Sequence, residues 1–212
     1  MKVGIIGSGD VAKNLAAGFL KHGHEVTVGT REAGKLTEFA SANPKAKIGR
    51  FADAAKFGEV VVLAVKGLVA ADALGLAGAA NLANKTVIDT TNPLADAPPV
   101  NGVLKCFTNL DSSLMEQLQE KFPLSHFVKA FNSVGSAAMV NPQFKGGKPS
   151  MFIVGNNTSA KKTVAGILDQ FGWEVEDMGM AEGARAVEPL CILWCIPGFV
   201  RNDWSHAFKV LR

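Results

Sequence analysis

The chain has 212 residues, a formal net charge of +3, 48% hydrophobic residues and 19% charged residues. This length and composition are typical of a folded, soluble protein with one large domain or a domain with a small appendage, and they are not typical of a disordered chain. The charge is mild and no run of like charges occurs, so the sequence predicts no nucleic-acid partner.

The ends of the chain and its cysteines predict the compartment. The first residues do not resemble a signal peptide, and the apolar stretch 189–200 is shorter than the roughly 20 residues of a membrane helix. Three cysteines cannot all pair and show no zinc spacing, and Cys191 and Cys195, one helical turn apart, are typical of small core residues. We therefore expect a cytoplasmic protein without metal or membrane contact.

Strand-like and helix-like patterns alternate along the chain. The predicted strands are 2–7, 24–29, a short one at 48, 59–65, 85–91, 126–131, 150–155 and 173–179. The predicted helices are 11–20, 32–42, 52–57, 69–80, 112–122, 158–171 and a tail from 181 to 212, with a loop at 92–110. Repeated β-α units predict an α/β fold of the Rossmann type, with a doubly wound, mostly parallel sheet that binds ligands beyond the carboxyl ends of its strands.

The first strand is followed by a phosphate-binding pattern. Gly7, Gly9 and Ala12 give G-x-G-x-x-A, where the glycines permit a tight turn and close approach of the backbone to a diphosphate, and Ala12 permits close helix packing. The position between a strand and an amphipathic helix favours dinucleotide binding over a structural turn. We expect Asp10 to point away from the diphosphate, either as a helix cap or towards a ribose hydroxyl.

The second strand ends without the acidic residue that favours NAD. Thr30 offers a hydroxyl and Arg31 a forked cation that matches a phosphate, while Lys35 adds charge one turn later. These residues predict NADP(H) as the cofactor. The alternative is that Arg31 is a solvated residue that Glu32 neutralises.

Strands four to six should end at the nicotinamide half, where the chain reads "AVKG", "DTTNPL" and "KAFNSVG". Asn92 and Asn132 can each hydrogen-bond a carboxamide or a ribose, or simply form turns. Lys66 lies either over the cofactor or in water.

The chain lacks an obvious proton donor. It has no tyrosine, and its four histidines have no evident carboxylate partner and are expected at the surface, so no catalytic residue is assigned. A flat redox ring spreads the arriving charge and needs less help than a carbonyl. The pattern therefore favours hydride transfer between NADPH and a flavin-like ring.

Several segments together resemble one family. "GIIGSGDVAKNLAAGFLKHGHEVTVGTRE", "DTTNPL", "VKAFNSVGSAAMVNP", "MFIVGNN" and "AFKVLR" resemble the F420-dependent NADP reductases and are similar to the cytosolic NADPH domain of the STEAP metalloreductases. The resemblance implies an NADP-binding Rossmann domain at 1–180, a C-terminal helical extension at 181–212, a homodimer, and hydride transfer between NADP(H) and a deazaflavin such as F420 or a flavin.

The resemblance also implies the cofactor site. Ser8 to Val11 would hold the diphosphate, Thr30, Arg31 and Lys35 the 2′-phosphate, and Asn92-Pro93 with Ala130 to Asn132 the nicotinamide. Together with the residue patterns, the predicted site is Gly7, Ser8, Gly9, Asp10, Val11, Thr30, Arg31, Lys35, Ala64, Val65, Lys66, Asn92, Pro93, Ala130 and Asn132. Family members often carry proline and an aromatic residue where this chain has Lys66-Gly67, beside the acceptor pocket.

Two other functions compete with a ring reductase. An NADPH-binding sensor or scaffold without catalysis would also lack an acid or base. An imine or hydroxy-acid dehydrogenase would need a long helical C-terminal domain, and only about 30 residues follow the last strand. The uncharged stretch 189–200 is expected to be buried, in a dimer contact combined with a wall of the acceptor pocket.

Overall fold

The computed structural model of the chain describes residues 1–212, except for the side chain of Ala33. Within that part of the chain each predicted strand is present. The strands are β1 (Lys2–Ile6), β2 (Glu25–Gly29), β3 (Lys47–Gly49), β4 (Val60–Leu63), β5 (Thr86–Asp89), β6 (His126–Lys129), β7 (Ser150–Ile153) and β8 (Glu174–Asp177).

Helices connect these strands. The α-helices are α1 (Asp10–Lys21), α2 (Thr37–Ala42), α3 (Phe51–Phe57), α4 (Ala70–Ala77), α5 (Ala79–Leu82), α6 (Leu114–Lys121), α7 (Thr158–Gln170), α8 (Ala184–Val187) and α9 (Leu190–Arg201). Short 3-10 turns cover Ala33–Leu36, Gly67–Val69, Ser136–Ala138 and Ala181–Gly183. The helix predicted at 69–80 is divided because Gly78 takes a φ of 88°, which ends α4 before α5 begins.

Six strands form one parallel sheet in the order β3-β2-β1-β4-β5-β6. All four residues of β4 are buried, as expected for a parallel strand covered by helices on both faces. The chain moves outward from β1 to β3 and then returns to β4 on the other side of β1. The carboxyl ends of β1 and β4 therefore form the switch point at which ligands of such sheets bind.

The last two strands form a separate parallel pair. β7 pairs with β8, and this pair meets the main sheet through a bridge in which the Lys129 amide donates to the Val154 carbonyl at 3.0 Å. The main apolar cluster includes Phe19, Phe171 and Trp173, and it extends over one face of the sheet from α1 to α7. The pair thus joins the main sheet beside β6, the edge strand that carries Lys129.

The predicted loop at 92–110 contains an antiparallel excursion, which we call the hairpin arm (residues 93–107). Leu94 pairs with Cys106, and Val100 pairs with Val103 across the turn. Asn101 and Gly102 have φ values of 51° and 83°, which is the backbone of a tight hairpin turn.

The C-terminal tail is helical only in its first part. Asn202 takes a left-handed φ of 57° and ends α9, so the prediction of a helix to Arg212 is wrong for the final residues. Those residues run beside β7, where the Ser150 amide donates to the Phe208 carbonyl at 2.9 Å and the Val210 amide donates to the Ser150 hydroxyl at 3.0 Å.

The helical segments from Ala181 to Arg201 make a run of 21 residues that is long and apolar enough to cross a membrane. The expectation from the sequence concerned only the apolar stretch 189–200. The conclusion that the segment is too short to cross a membrane is wrong for the complete helical run. Core helices share this length and composition, and this run packs on the domain through Glu188, Cys191 and Trp194, which are buried. The length of the run therefore does not assign it to a membrane.

Candidate functional site

A cavity of about 950 Å³ lies at the carboxyl ends of β1, β2, β4 and β5. This volume lies within the usual range of pockets that bind small molecules and cofactors, so a dinucleotide can fit. Every residue of the predicted site lines it except Pro93, Ala130 and Asn132. The switch point therefore brings together residues that are far apart in sequence.

The phosphate loop forms an open cradle. Gly7 has a φ of 143°, and a Cβ there would lie 2.0 Å from the Ala64 carbonyl oxygen, so the loop depends on glycine. Gly9 is the N-cap of α1, and a Cβ at Gly9 would meet no atom within 4 Å. The first-turn amides of α1 and the space beside Gly9 thus suit a diphosphate.

Asp10 is exposed at the first position of α1 and borders the cavity. Because Gly9 is the N-cap, Asp10 is not the capping residue that one of the two expectations described. Its carboxylate still favours the positive end of the helix.

The end of β2 carries the predicted phosphate-binding residues. Thr30 is buried, and its hydroxyl donates to the Glu32 carbonyl and accepts from the Glu32 amide, both at 3.1 Å. The hydroxyl therefore holds the turn that presents Arg31, in addition to bordering the cavity. Glu32 forms its ion pair with Lys35 at 2.9 Å, and this hydrogen bond lowers the pKa of the Glu32 carboxyl.

This pairing bears on the two interpretations of Arg31. Glu32 contacts Lys35, and no ion pair or hydrogen bond of Arg31 occurs among the residues that the structure describes. The guanidinium is exposed at the cavity edge and remains free for a ligand. Lys35 contributes less charge than the sequence suggested, since Glu32 offsets it.

The two asparagines have different roles. Asn92 borders the cavity, and its side-chain amide donates to the Asn132 carbonyl at 2.8 Å. Asn132 is buried, and its amide donates to Asn92 Oδ1 at 3.2 Å and to the Val187 carbonyl at 2.9 Å. Asn132 therefore orients Asn92, and the prediction that Asn132 itself lines the site is corrected.

Pro93 and Ala130 lie behind the cavity wall. Ala130 is fully buried in the main apolar cluster, and the Pro93 carbonyl accepts from the Phe107 amide at 2.8 Å at the base of the hairpin arm. Between Ala130 and Asn132, the buried Phe131 has a φ of 63°, a strained conformation for a bulky residue. The strained turn directs the Asn132 side chain towards Val187.

Sequence reasoning missed the outer wall of the cavity. The hairpin arm contributes Leu94, Ala95, Asp96 and Leu104, and α4 with the turn before it contributes Leu68, Val69, Asp72, Ala73 and Leu76. The Asn-Gly dipeptide between Val100 and Val103 was a hairpin signal that would have identified the arm.

A buried ion cluster behind Asn92 was also missed. Lys129 is fully buried, and its ammonium contacts Asp89 Oδ2 at 2.6 Å, Glu188 Oε1 at 2.9 Å and the Thr91 carbonyl at 2.8 Å. Burial lowers the pKa of Lys129, but the carboxylates of Asp89 and Glu188 outweigh it, so this pKa lies above its ordinary value. Lysine in the middle of an apolar strand was the available signal, because a buried charge requires partners.

The described cavity wall holds no histidine. His22 contacts Asn141 at 3.2 Å, His24 contacts Gln170 at 2.8 Å, and His206 contacts the Trp194 carbonyl at 3.0 Å. Lys66 is exposed and lines the cavity just after β4. The arrangement offers hydrogen bonds, apolar surface and the lining carboxylates of Asp10, Glu32, Asp72 and Asp96, with no histidine beside them in the described wall.

The C-terminal extension reaches the site indirectly. The described lining of the cavity contains no residue of 181–212, so within one chain this segment does not form the expected pocket wall. The segment is also not fully buried, since Leu193 is 54% exposed and Val200 is 63% exposed. Its contacts to the site pass through Val187 and Glu188.

Known proteins share these features. The family model for NADP oxidoreductases of the coenzyme F420-dependent type matches residues 2–93. Rat metalloreductase STEAP3 is 32% identical over 210 residues, which cover 92% of this chain and 38% of the relative, and human metalloreductase STEAP2 is 27% identical over 211 residues, covering 97% and 40%. The chain thus spans about two fifths of the length of these curated relatives.

Solved structures extend the comparison to the whole chain. An imine reductase from Streptomyces aurantiacus has a TM-score of 0.68 at 16% identity over 94% of this chain and 63% of its own, which shows a shared fold. A candidate F420-dependent NADP reductase from Arthrobacter sp. FB24 has a TM-score of 0.93 at 33% identity, covering 100% of both chains. The protein belongs to the F420-dependent NADP reductase family and is an NADP-dependent oxidoreductase.

Proposed function

We propose that the protein transfers a hydride between NADPH and a flat redox ring, either a deazaflavin such as F420 or a flavin. The observation that carries this proposal is the cavity wall, which joins a phosphate cradle to an apolar pocket whose described lining holds no histidine. NADPH supplies the hydride, and the acceptor ring takes it together with a proton from solvent.

The chain's own residues bind and orient the cofactor. The first-turn amides of α1 suit the diphosphate, and the free guanidinium of Arg31 suits the 2′-phosphate. Asn92, held by Asn132, presents a carboxamide at the carboxyl end of β5. These groups fix the cofactor along the switch point of the sheet.

The outer wall favours a planar acceptor. Leu68, Leu94 and Leu104 give the cavity an apolar lining beyond the phosphate loop. Gly67 lies against the Asn92 backbone, where a Cβ would approach the carbonyl oxygen to 2.0 Å, so the aromatic residue of other family members has no room there. A ring that delocalises its charge can react here without a protein acid.

The reaction is tested by mixing the purified protein anaerobically with NADPH and one acceptor at a time: F420, FMN, riboflavin or a quinone dye. We expect the NADPH absorbance at 340 nm to fall only when a ring acceptor is present. No oxidation with any ring acceptor would contradict the proposal. Replacing NADPH with NADH is the matched control.

The metalloreductase relatives motivate one further arm of this experiment. A ferric chelate with NADPH and no ring acceptor should remain oxidised, because NADPH donates two electrons as a hydride and ferric iron accepts only one. Adding FMN should then allow iron reduction through the reduced flavin. Direct reduction of the chelate without a ring would contradict a ring acceptor.

The absence of histidine from the described cavity wall also favours a second candidate, an NADPH-binding sensor or scaffold. It predicts tight NADPH binding, no turnover, and a partner protein captured in only one cofactor state. Pull-downs with NADPH, NADP⁺ and no cofactor distinguish it from the reductase.

We also propose that the protein is a cytoplasmic homodimer that contacts its second copy through α9. The exposed Leu193, Phe199, Val200 and Trp204 lie on or just after this helix, and Trp204 packs on Phe199 with ring centroids 5.2 Å apart. Exposed apolar surface of this kind is typical of protein contacts.

A further inference from the structure

We propose that Glu188 is a positioning residue for the nicotinamide end of the cofactor, an inference that rests on the proposed NADP(H) site. Glu188 does not line the cavity. It acts through the buried ammonium of Lys129 and through the neighbouring carbonyl of Val187, and both lead to the segment that carries Asn92.

The contacts form a closed circuit. The Lys129 ammonium joins Glu188 Oε1 at 2.9 Å to the Thr91 carbonyl at 2.8 Å, immediately before Asn92. On the other side, Asn132 joins the Val187 carbonyl at 2.9 Å to Asn92 Oδ1 at 3.2 Å. The C-terminal segment therefore holds the backbone and the side chain of the cavity-lining asparagine at the same time.

Glu188 is itself firmly held. Its Oε2 accepts from the Leu114 amide and its Oε1 accepts from the Met115 amide, both at 2.9 Å, at the start of α6. The charges of Lys129, Asp89 and Glu188 sum to one negative charge, and the positive N-terminal end of the α6 dipole offsets it. The Glu188 carboxylate is thus held by the N-terminus of α6. It is not required to neutralise Lys129, because Lys129 already pairs with Asp89 at 2.6 Å.

This charge balance makes Glu188 testable. Glu188→Gln leaves Lys129 paired with Asp89, so the chain should stay folded. The amide accepts fewer hydrogen bonds than the carboxylate and weakens the contact to Lys129 or to α6. The segment that carries Val187 then loses its fixed position, and Asn92 loses its orientation.

The experiment compares two ligands by titration calorimetry: NADP⁺, and 2′-phospho-ADP-ribose, which lacks the nicotinamide. For Glu188→Gln we expect about tenfold weaker binding of NADP⁺ and binding of 2′-phospho-ADP-ribose within about twofold of wild type, since only the hydrogen bonds at the nicotinamide end are lost. Glu182→Gln, an exposed carboxylate in the same segment, is the control and should change neither.

Several results would overturn the inference. Equal loss for both ligands would indicate a general structural role, and no loss for NADP⁺ would remove the coupling. A wild-type protein that binds both ligands equally would show that the nicotinamide is not held at all. In an Asn92→Ala background, Glu188→Gln should have no further effect, and an additive loss would contradict action through Asn92.

Asn132→Ala is the second variant if Glu188→Gln does not fold. It breaks the same circuit at Val187, so it should show the same selective loss for NADP⁺, and an equal loss for both ligands would contradict the inference. The binding readout does not depend on the acceptor. A chain that reduces no ring but shows the selective loss would refute the proposed reaction and leave this inference standing.

Discussion

Arg31 and Gly9 line two parts of the cavity where we propose that phosphates of the cofactor bind. Arg31 is exposed at the end of β2 without an ion pair in the described chain, while Glu32 is engaged with Lys35. Gly9 leaves empty space where any other residue would place a Cβ. In the proposed complex the two positions contact different phosphates of the cofactor, so they can be tested separately.

Arg31→Ala should raise the Kd for NADPH about 10- to 100-fold, because a charge-assisted contact to the 2′-phosphate is lost. The Kd for NADH should stay unchanged, since NADH lacks that phosphate. Fluorescence titration of both cofactors measures this. Lys45→Ala, at an exposed lysine outside the described cavity lining, is the control and should leave the Kd for both cofactors unchanged. Equal weakening for both cofactors would be inconsistent with a 2′-phosphate contact.

Gly9→Ala should fold normally and lose NADPH affinity by about tenfold or more, because its methyl group enters the space of the diphosphate. Its φ of −83° is accessible to alanine and its Cβ would meet no protein atom. The matched variant Gly7→Ala should instead lose stability, because its Cβ would meet the Ala64 carbonyl. Thermal unfolding and NADPH titration separate the two, and unchanged NADPH binding in Gly9→Ala would place the diphosphate elsewhere.

At the scale of elements, the C-terminal segment is fastened to α6 as well as to the sheet. The Arg185 guanidinium donates to both carboxylate oxygens of Glu116, with the shortest contact at 2.6 Å, and Glu116 completes the capping of α6 at Ser113. The hydrogen bond from Arg185 lowers the pKa of the Glu116 carboxyl, and burial opposes it.

Glu116→Gln should therefore reduce stability in a pH-dependent way. A carboxyl whose pKa is lowered by folding stabilises the protein above its ordinary pKa of 4.5, and this contribution is lost as the pH falls through its folded value. Because Glu116 is partly exposed, the variant should lose at most about 1 kcal/mol at pH 7. Urea unfolding at pH 7 and pH 3 measures the difference.

The loss should be smaller at pH 3 than at pH 7, because the Glu116 carboxyl gains protons as the pH falls towards its lowered folded pKa. Asp203→Asn, at an exposed pair with Arg201, is the control and should leave the free energy of unfolding unchanged at both values. A loss of equal size at both values would mean that Glu116 acts through packing and not through its charge.

The strands and the phosphate loop were predictable because their signals are local. Buried parallel strands read as apolar runs, and the glycine pattern sits between a strand and a helix. The partners of Lys129 and the burial of Asn132 were not predictable, because Glu188 and Val187 are more than 50 residues away in sequence. The end of α9 at Asn202 was missed because asparagine takes left-handed φ values in loops as well as at helix ends. Its presence in the sequence therefore does not mark the end of a helix.

At the scale of the whole molecule, the proposed dimer gives the exposed side of α9 a partner. Leu193→Glu combined with Val200→Glu places charges on that surface, and we expect monomers in sedimentation velocity experiments. Leu124→Glu, at an exposed apolar residue away from α9, is the control and should leave the dimer intact. A wild-type protein that sediments as a monomer at all concentrations would contradict the dimer.

The central claim is direct hydride transfer from NADPH to a ring. NADPH deuterated at the nicotinamide C4, separately in each of its two positions, is mixed with F420, whose acceptor carbon retains the label. The account predicts that one of the two cofactors delivers its deuterium to the reduced deazaflavin, with no loss to water. NADPH that binds but stays unoxidised, or label that appears only in solvent, would contradict it.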